Sequence, residues 1–304
     1  MFIDILLLQM LFSCSTPLNK LLLEQSSVLT LTTLRMFCAG FLILFSWLWI
    51  EKKKIIVIQK EHLLLFGHKI VFGSYLKYVL KYWGLQYISP THAAFLFLTT
   101  PIWAALYDYM YFNHRFTAKQ YLGMAITFFA IVPLLVCQNA TFFPVQQVFC
   151  LPAIALLCAV GAHCYGVMCT KKLITMYSYD PVLISACSNI GTGFLAFLTI
   201  LLMKKSFVIG NPYIFVPNLL LLIFISNIIG KIWHTYLLKK HSMTMLAMAE
   251  YLNPLCVGLY SWLFWGSTVT FLQLLAGVSI LLGLYFFHNP KSDVVVPAVI
   301  AKQV

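Results

Sequence analysis

Charge is what this sequence has least of. Only 9% of its 304 residues are charged, with eight Asp and Glu against twenty Lys and Arg. Soluble domains carry about 25% charged residues, so the chain, 62% hydrophobic, is read as an integral membrane protein. Its net charge of +12 does not point to nucleic acid, because the basic residues sit mostly in short connections between apolar runs, as membrane-flanking charges do. Catalytic signatures are missing as well. There is no GxSxG, HExxH or P-loop pattern, which leaves an enzyme no nucleophile or metal to work with. The nine cysteines include no CxxC pair and no zinc spacing, so they are read as small apolar fillers, and no metal or cofactor is expected. The N-terminal run has Asp4 where a signal peptide would be basic and lacks a small-residue cleavage site, so it is expected to remain as a first helix.

What is present is a succession of apolar runs. A hydrocarbon core of about 30 Å needs about 20 apolar residues per helix, and ten runs fit: roughly 3–21, 30–50, 63–85, 92–112, 118–137, 148–169, 181–203, 214–238, 243–265 and 269–288. The expected fold is therefore an all-α membrane protein with ten transmembrane helices. With the N-terminus inside, the inner connections hold Lys52, Lys53, Lys54, Lys60, Arg115, Lys119, Lys171, Lys172, Lys239 and Lys240, and the tail adds Lys291 and Lys302. The outer connections hold only Lys204 and Lys205. That bias predicts a plasma-membrane protein with both termini in the cytoplasm. The outer connection between the fifth and sixth helices contains Asn139-Ala140-Thr141, a glycosylation sequon by pattern, of a kind frequent by chance.

The chain also repeats itself. Residues Ser242 to Gln273 overlay Ser89 to Gln120 without a gap at an offset of 153, sharing Ser, Thr, Ala, Pro, Leu, Tyr, Thr and Gln at eight of 32 positions. The same offset aligns Gly40-Phe41-Leu42 with Gly193-Phe194-Leu195. A constant offset is hard to obtain from composition alone, so we read two tandem halves, 1–137 and 148–288, followed by a cytoplasmic tail, 289–304. Five helices per half is an odd number, so the second half enters the membrane from the opposite side, giving an inverted repeat of the sort many secondary transporters use.

Charge inside the membrane is the main functional signal, since a charged side chain at mid-helix costs about 2.5–3.5 kcal/mol on insertion scales. Glu250 stands in Met248-Ala249-Glu250-Tyr251-Leu252-Asn253-Pro254, alone among charges from Ser242 to the tail. Pro254 cannot donate to the carbonyl of Glu250, so one turn is expected to present a carboxylate, a freed carbonyl and the Asn253 amide. Either a solute site or a carboxylate neutralised by a structural partner accounts for such a turn. In the first half Pro101 frees the carbonyl of Phe97, and Thr99 and Thr100 supply hydroxyls where the second half has an amide. In the third helix, Lys69, Lys77 and Lys81 spread over about 120° of the helix surface. Lys77 and Lys231 are candidates to bind an anionic group; Lys69 and Lys81 are placed to snorkel toward opposite membrane faces instead. The proline-interrupted first helix holds Asn19, which either lines a cavity or packs in protein. Arg35 is read as snorkelling or ion-paired, Asp108 as structural near Arg115, and His163 as a hydrogen-bonded interior group or a site residue. Tyr78, beside Lys77, is a candidate stacking surface. The candidate binding set is Glu250, Asn253, Lys77, Lys231, Tyr78, Thr100, His163 and Asn19.

These features resemble one family. Two five-helix repeats, each with a polar turn at a proline followed by Thr-x-x-Gln opening its last helix, look like the drug/metabolite transporter superfamily, EamA-type. The closing pattern reads Thr117-Ala118-Lys119-Gln120-Tyr121-Leu122-Gly123 and Thr270-Phe271-Leu272-Gln273. Asn19-Lys20, followed by Arg35 near the start of the second helix, resembles the opening of such proteins. The chain departs from the family at His114 and Ser267, where a glutamate is usual, and at Ala276, where a glycine is usual. The resemblance implies that helices 1 to 4 and 6 to 9 surround a central cavity, with helices 5 and 10 outside it, and that transport proceeds by alternating access. It also implies a small-molecule solute, for which the family offers amino acids, nucleotide sugars, phosphorylated sugars, drugs and adenosyl metabolites such as S-adenosylmethionine. Lys77 and Lys231 favour an anionic or zwitterionic group, Glu250 an amino or sulfonium group, and the aromatics a planar ring. A zwitterionic amino-acid- or nucleoside-derived solute ranks first and a phosphorylated metabolite second; a non-transporting membrane scaffold is the reading from another class. The lipid bilayer is the other expected partner, and monomer and homodimer both stay open.

Overall fold

The computed structural model describes residues 2–50, 58–85, 87, 93, 96–137, 150–265 and 271–288. The Lys52-Lys53-Lys54 run, the Asn139-Ala140-Thr141 triplet, Ser89, Thr91, Ala94, Ser267, Thr270 and the 289–304 tail lie outside them. The described chain is helical apart from one isolated antiparallel bridge, Ser26 to Ile209. We label α1 (Phe2–Gln25), α2 (Val28–Ile50), α4 (Thr100–Phe112), α5 (Ala118–Cys137), α6 (Leu151–Thr175), α7 (Pro181–Leu202) and α10 (Phe271–Phe287). Three further rods are composite. In α3 a π-turn, Val71–Leu76, separates Leu63–Ile70 from Lys77–Leu85; in α8 another, Ile223–Gly230, separates Pro212–Leu222 from Lys231–Leu238. In α9 a 3-10 turn, Glu250–Leu252, joins Met243–Ala249 to Asn253–Trp265. Among the described residues, six stretches are long and apolar enough to cross a membrane: Ile3–Gln25, Val28–Trp49, Lys60–Lys81, Leu151–Thr175, Pro181–Leu202 and Pro212–Leu238.

Local chemistry sets several of these ends. The side chains of Asp180, Asn211 and Ser242 accept from Val182, Tyr213 and Met245 backbone N–H groups, capping α7, α8 and α9. α4 stops at Asn113, whose φ of 51° is one that asparagine tolerates well. α6 runs past its expected end at 169, which takes Lys171 and Lys172 out of the connection where the sequence placed them and into the helix.

Packing relates the two halves. α2 lies along α7 and α5 along α10, while α1 packs on α8 and α9 as α6 packs on α3 and α4. A Cβ added at Gly40 would lie 2.5 Å from Ile190 Cγ1, and one added at Gly193 would lie 3.0 Å from Phe37. The offset of 153 carries Gly40 onto Gly193 and Phe37 onto Ile190, so the two close approaches exchange with each other. It also brings the π-turn of α3 over that of α8. Where α3 crosses α6, a Cβ on Gly166 would sit 2.0 Å from Gly73 Cα, so the crossing requires glycine. The Tyr251 hydroxyl donates to the Leu98 carbonyl, 153 residues away.

Candidate functional site

A cavity of about 660 Å³ lies between α1–α4 and α6–α9, with Ile131 as its single lining residue from α5 and none from α10. All eight candidate residues, Asn19, Lys77, Tyr78, Thr100, His163, Lys231, Glu250 and Asn253, line it. So do Arg35, Lys69, Lys81, Phe97 and His234. Toward the end where α4, α6 and α8 finish, the lining residues Thr170, Ile184, Thr235 and Leu238 are buried. At the opposite end the lining residues Asn19, Arg35 and Lys81 are half-buried.

The two proline breaks shape the wall differently. In α9, Pro254 deprives the Glu250 carbonyl of its helical donor, but that carbonyl is not left free as the sequence suggested. The chain tightens into a 3-10 turn and the Asn253 N–H takes it, because a shorter hydrogen-bonded ring is the local way to satisfy an orphan carbonyl. In α4 the carbonyl of Phe97 is taken by the Thr100 hydroxyl at 2.5 Å. The Thr100 proton is thereby committed to backbone, leaving its lone pairs toward the cavity. Asn253 Oδ1 accepts from Ser13 Oγ at 3.0 Å, tying α9 to α1.

Glu250 makes no hydrogen bond or ion pair among the described residues, although Lys77 and Lys81 lie within electrostatic reach. Cations surround it. Lys77 Nζ stands 3.2 Å from His163 Nδ1. Lys231 donates to Asn189 Oδ1, and Lys81 sits 5.1 Å above the Phe97 ring. Lys69 is 7% exposed and lines the cavity; it does not snorkel. The π-turn explains this convergence. It accommodates one extra residue, so the helix beyond it lags by about 100°, and the spread of Lys69, Lys77 and Lys81 narrows from about 120° to about 40°. Sequence spacing read as plain α-helix could not supply that rotation.

Arg35 also departs from expectation, being neither snorkelled nor ion-paired among the described residues. Its Nε donates to Asn227 Oδ1 at 2.6 Å and its terminal nitrogens to Asn19 Oδ1 at 3.0 Å and Ser226 Oγ at 2.8 Å. Ser226 and Asn227 belong to the π-turn of α8, a feature whose local widening often serves a site. Asp108 is structural, as expected, but its partner is not Arg115. Fully buried, it pairs with Lys171 at 3.1 Å and accepts from the Thr244 N–H and hydroxyl at 2.9 and 2.8 Å, binding α4, α6 and α9 together at the closed end of the cavity.

A family model of the EamA-like transporter family matches residues 2–136 and 151–288. The chain belongs to the EamA-like transporter family. As a member it is a multi-pass membrane protein and a transporter rather than an enzyme. Two relatives, described as S-adenosylmethionine/S-adenosylhomocysteine transporters of Chlamydia muridarum and Chlamydia trachomatis serovar L2, are each 26% identical to it over 262 residues. These alignments cover 85% of this chain and 82% and 80% of the relatives. A solved crystal structure with 16% identity matches it with a TM-score of 0.72, covering 93% of each chain, a likeness of fold alone. The EamA-like fold is thus what surrounds the cationic cavity with its single carboxylate.

Proposed function

We propose that this EamA-like transporter moves a zwitterionic amino-acid- or nucleoside-derived solute, of the S-adenosylmethionine or S-adenosylhomocysteine kind, across the plasma membrane by alternating access. The observation that carries this reading is Glu250, a cavity-wall carboxylate with no protein partner among the described residues, surrounded by cations and aromatic rings. Lys77 and Lys81 lie within electrostatic reach of this carboxylate but make no ion pair with it among the described residues, so its oxygens stay open to an ammonium or sulfonium group of the solute. Lys77 and Lys231 attract the solute's acidic group, while Tyr78 offers a ring to a planar base. Asn253, Thr100, His163 and Asn19 complete the set through hydrogen bonds. The names of the chlamydial relatives fit this chemistry.

The proposal includes the architecture: ten transmembrane helices in two inverted five-helix repeats, 1–137 and 148–288, with both termini and the 289–304 tail in the cytoplasm. The two matched segments, the exchanging glycine contacts and the paired π-turns support it. In that orientation the Asp108 end faces the cytoplasm, and the described conformation is closed there.

Five cationic side chains in the lining against one carboxylate favour a second reading, a phosphorylated metabolite. Proteoliposomes decide between them. Uptake of labelled S-adenosylmethionine that S-adenosylhomocysteine competes, and that inorganic phosphate and AMP do not, is expected. Movement of none of these solutes rejects both solute readings; competition by AMP alone selects the second.

A further inference from the structure

Arg35 is a charge inside the bundle whose hydrogen-bond acceptors are all neutral. Its three hydrogen-bond acceptors, Asn227, Asn19 and Ser226, orient the guanidinium without neutralising it. The two amides are themselves held, since Asn19 Nδ2 donates to the Ser15 carbonyl at 2.7 Å and Asn227 Nδ2 points to Met36 Sδ at 3.4 Å, which turns both oxygens toward the arginine. Lys77 and Lys231 lie within electrostatic reach of it and add like charge. Charges inside a membrane bundle are ordinarily paired, and none of the acceptors of half-buried Arg35 among the described residues is an anion.

The donor count shows what is left. A guanidinium has five N–H groups; one on Nε and one on each terminal nitrogen are engaged, so each terminal nitrogen keeps a single N–H. N–H groups on the terminal nitrogens are donors that a carboxylate or phosphate accepts strongly. The anchor exists in one half only, because the offset of 153 puts Ser188 in the place of Arg35. Ser188 Oγ is buried in the cavity wall with no hydrogen-bond partner, so the other half presents a neutral group at this position.

We propose that Arg35 is the anion anchor of the solute site, its two remaining N–H groups taking the carboxylate, or a phosphate, of the bound solute. This rests on the cavity being where the solute binds. It orients a zwitterion between Arg35 and Glu250.

The test is binding to purified protein in nanodiscs, read as ligand-induced thermal stabilisation, with two acid and neutral pairs: S-adenosylhomocysteine with its carboxamide, and AMP with adenosine. The wild type is expected to bind at least one acid tenfold or more tighter than its neutral partner, and the pair showing the larger preference distinguishes carboxylate from phosphate. Arg35→Gln should abolish the preference, and Arg35→Lys should keep part of it, since a lysine retains charge without the planar fork. Asn227→Asp guards against simple misfolding: it places a protein carboxylate against the guanidinium, so it should keep or raise the unliganded Tm while also abolishing the preference. No acid preference in the wild type, or a preference that survives in Asn227→Asp, overturns the anchor. Acid-selective binding without uptake of any probe would reject transport and leave the anchor standing. Uptake without acid preference would do the reverse.

Discussion

At the closed end of the bundle Asp108 meets Lys171 at 3.1 Å and accepts two hydrogen bonds from Thr244, so the charges of this clasp are answered by the protein. In the cavity Glu250 has no such partner among the described residues, and Arg35, Lys77 and Lys231 hydrogen-bond to groups that are not carboxylates. Both regions place carboxylate and cation inside a membrane protein, where an unanswered charge costs about 2.5–3.5 kcal/mol. The difference teaches where each cost is met. Across the helix junction the counter-ion is built in, which locks α4, α6 and α9 together. Around the cavity no direct ion pair is formed among the described residues, and the proposed solute would take that place. The clasp also belongs to one half alone, since the offset puts Ser261 and Leu18 where Asp108 and Lys171 would recur.

Neutralising one partner of the clasp should have the largest effect. Asp108→Asn leaves Lys171 buried and unpaired, a change worth about 3–5 kcal/mol, so the yield of monodisperse protein should collapse. Replacing both, as Asp108→Leu with Lys171→Met, should recover a good part of it. Normal yield and melting for Asp108→Asn would show that the clasp is not what holds this end. Next in size is Glu250→Gln, which removes a group without a protein partner. Uptake should fall at least tenfold while Tm moves by less than about 2 °C; equal losses in both would make Glu250 a structural group.

Lys77→Met sharpens the contrast, because the same replacement at Lys171 alone should leave Asp108 buried without its ion-pair partner. At Lys77 it removes attraction to Glu250 together with repulsion from Arg35 and Lys231, so Tm should move by less than about 2 °C as uptake falls. A drop in Tm as large as that of Asp108→Asn would mean that Lys77 is a structural group. The smallest effect belongs to Asp180, which caps α7 at Val182 and accepts from Trp47 Nε1. Asp180→Ala should cost about 1 kcal/mol and leave uptake intact, showing that an acid outside both clusters is a cap and no more.

Much of the architecture was legible along the chain. Apolar run lengths found the helices, the two prolines found both broken turns, and the cost of a lone charge singled out Glu250. Partners were less legible. Asp108 looked matched to Arg115 because the two are close in sequence, but Arg115 is exposed, and the lysine that answers Asp108 is on another helix. Arg35 looked like an interfacial residue because it lies near the start of α2, and only the approach of α1 and α8 gave it Asn19, Ser226 and Asn227.

Hydropathy, helix-breaking residues and the repeat offset by themselves determined that this chain is a helical membrane protein with duplicated proline turns, because those properties depend on a residue and its near neighbours. The tertiary structure alone decided which charges are paired with each other and which face the cavity without an ion pair among the described residues. Pairing across helices depends on their rotation and tilt, and here two π-turns and glycine crossings set both, turning Lys69, Lys77 and Lys81 onto one cavity wall and bringing Lys171 to Asp108.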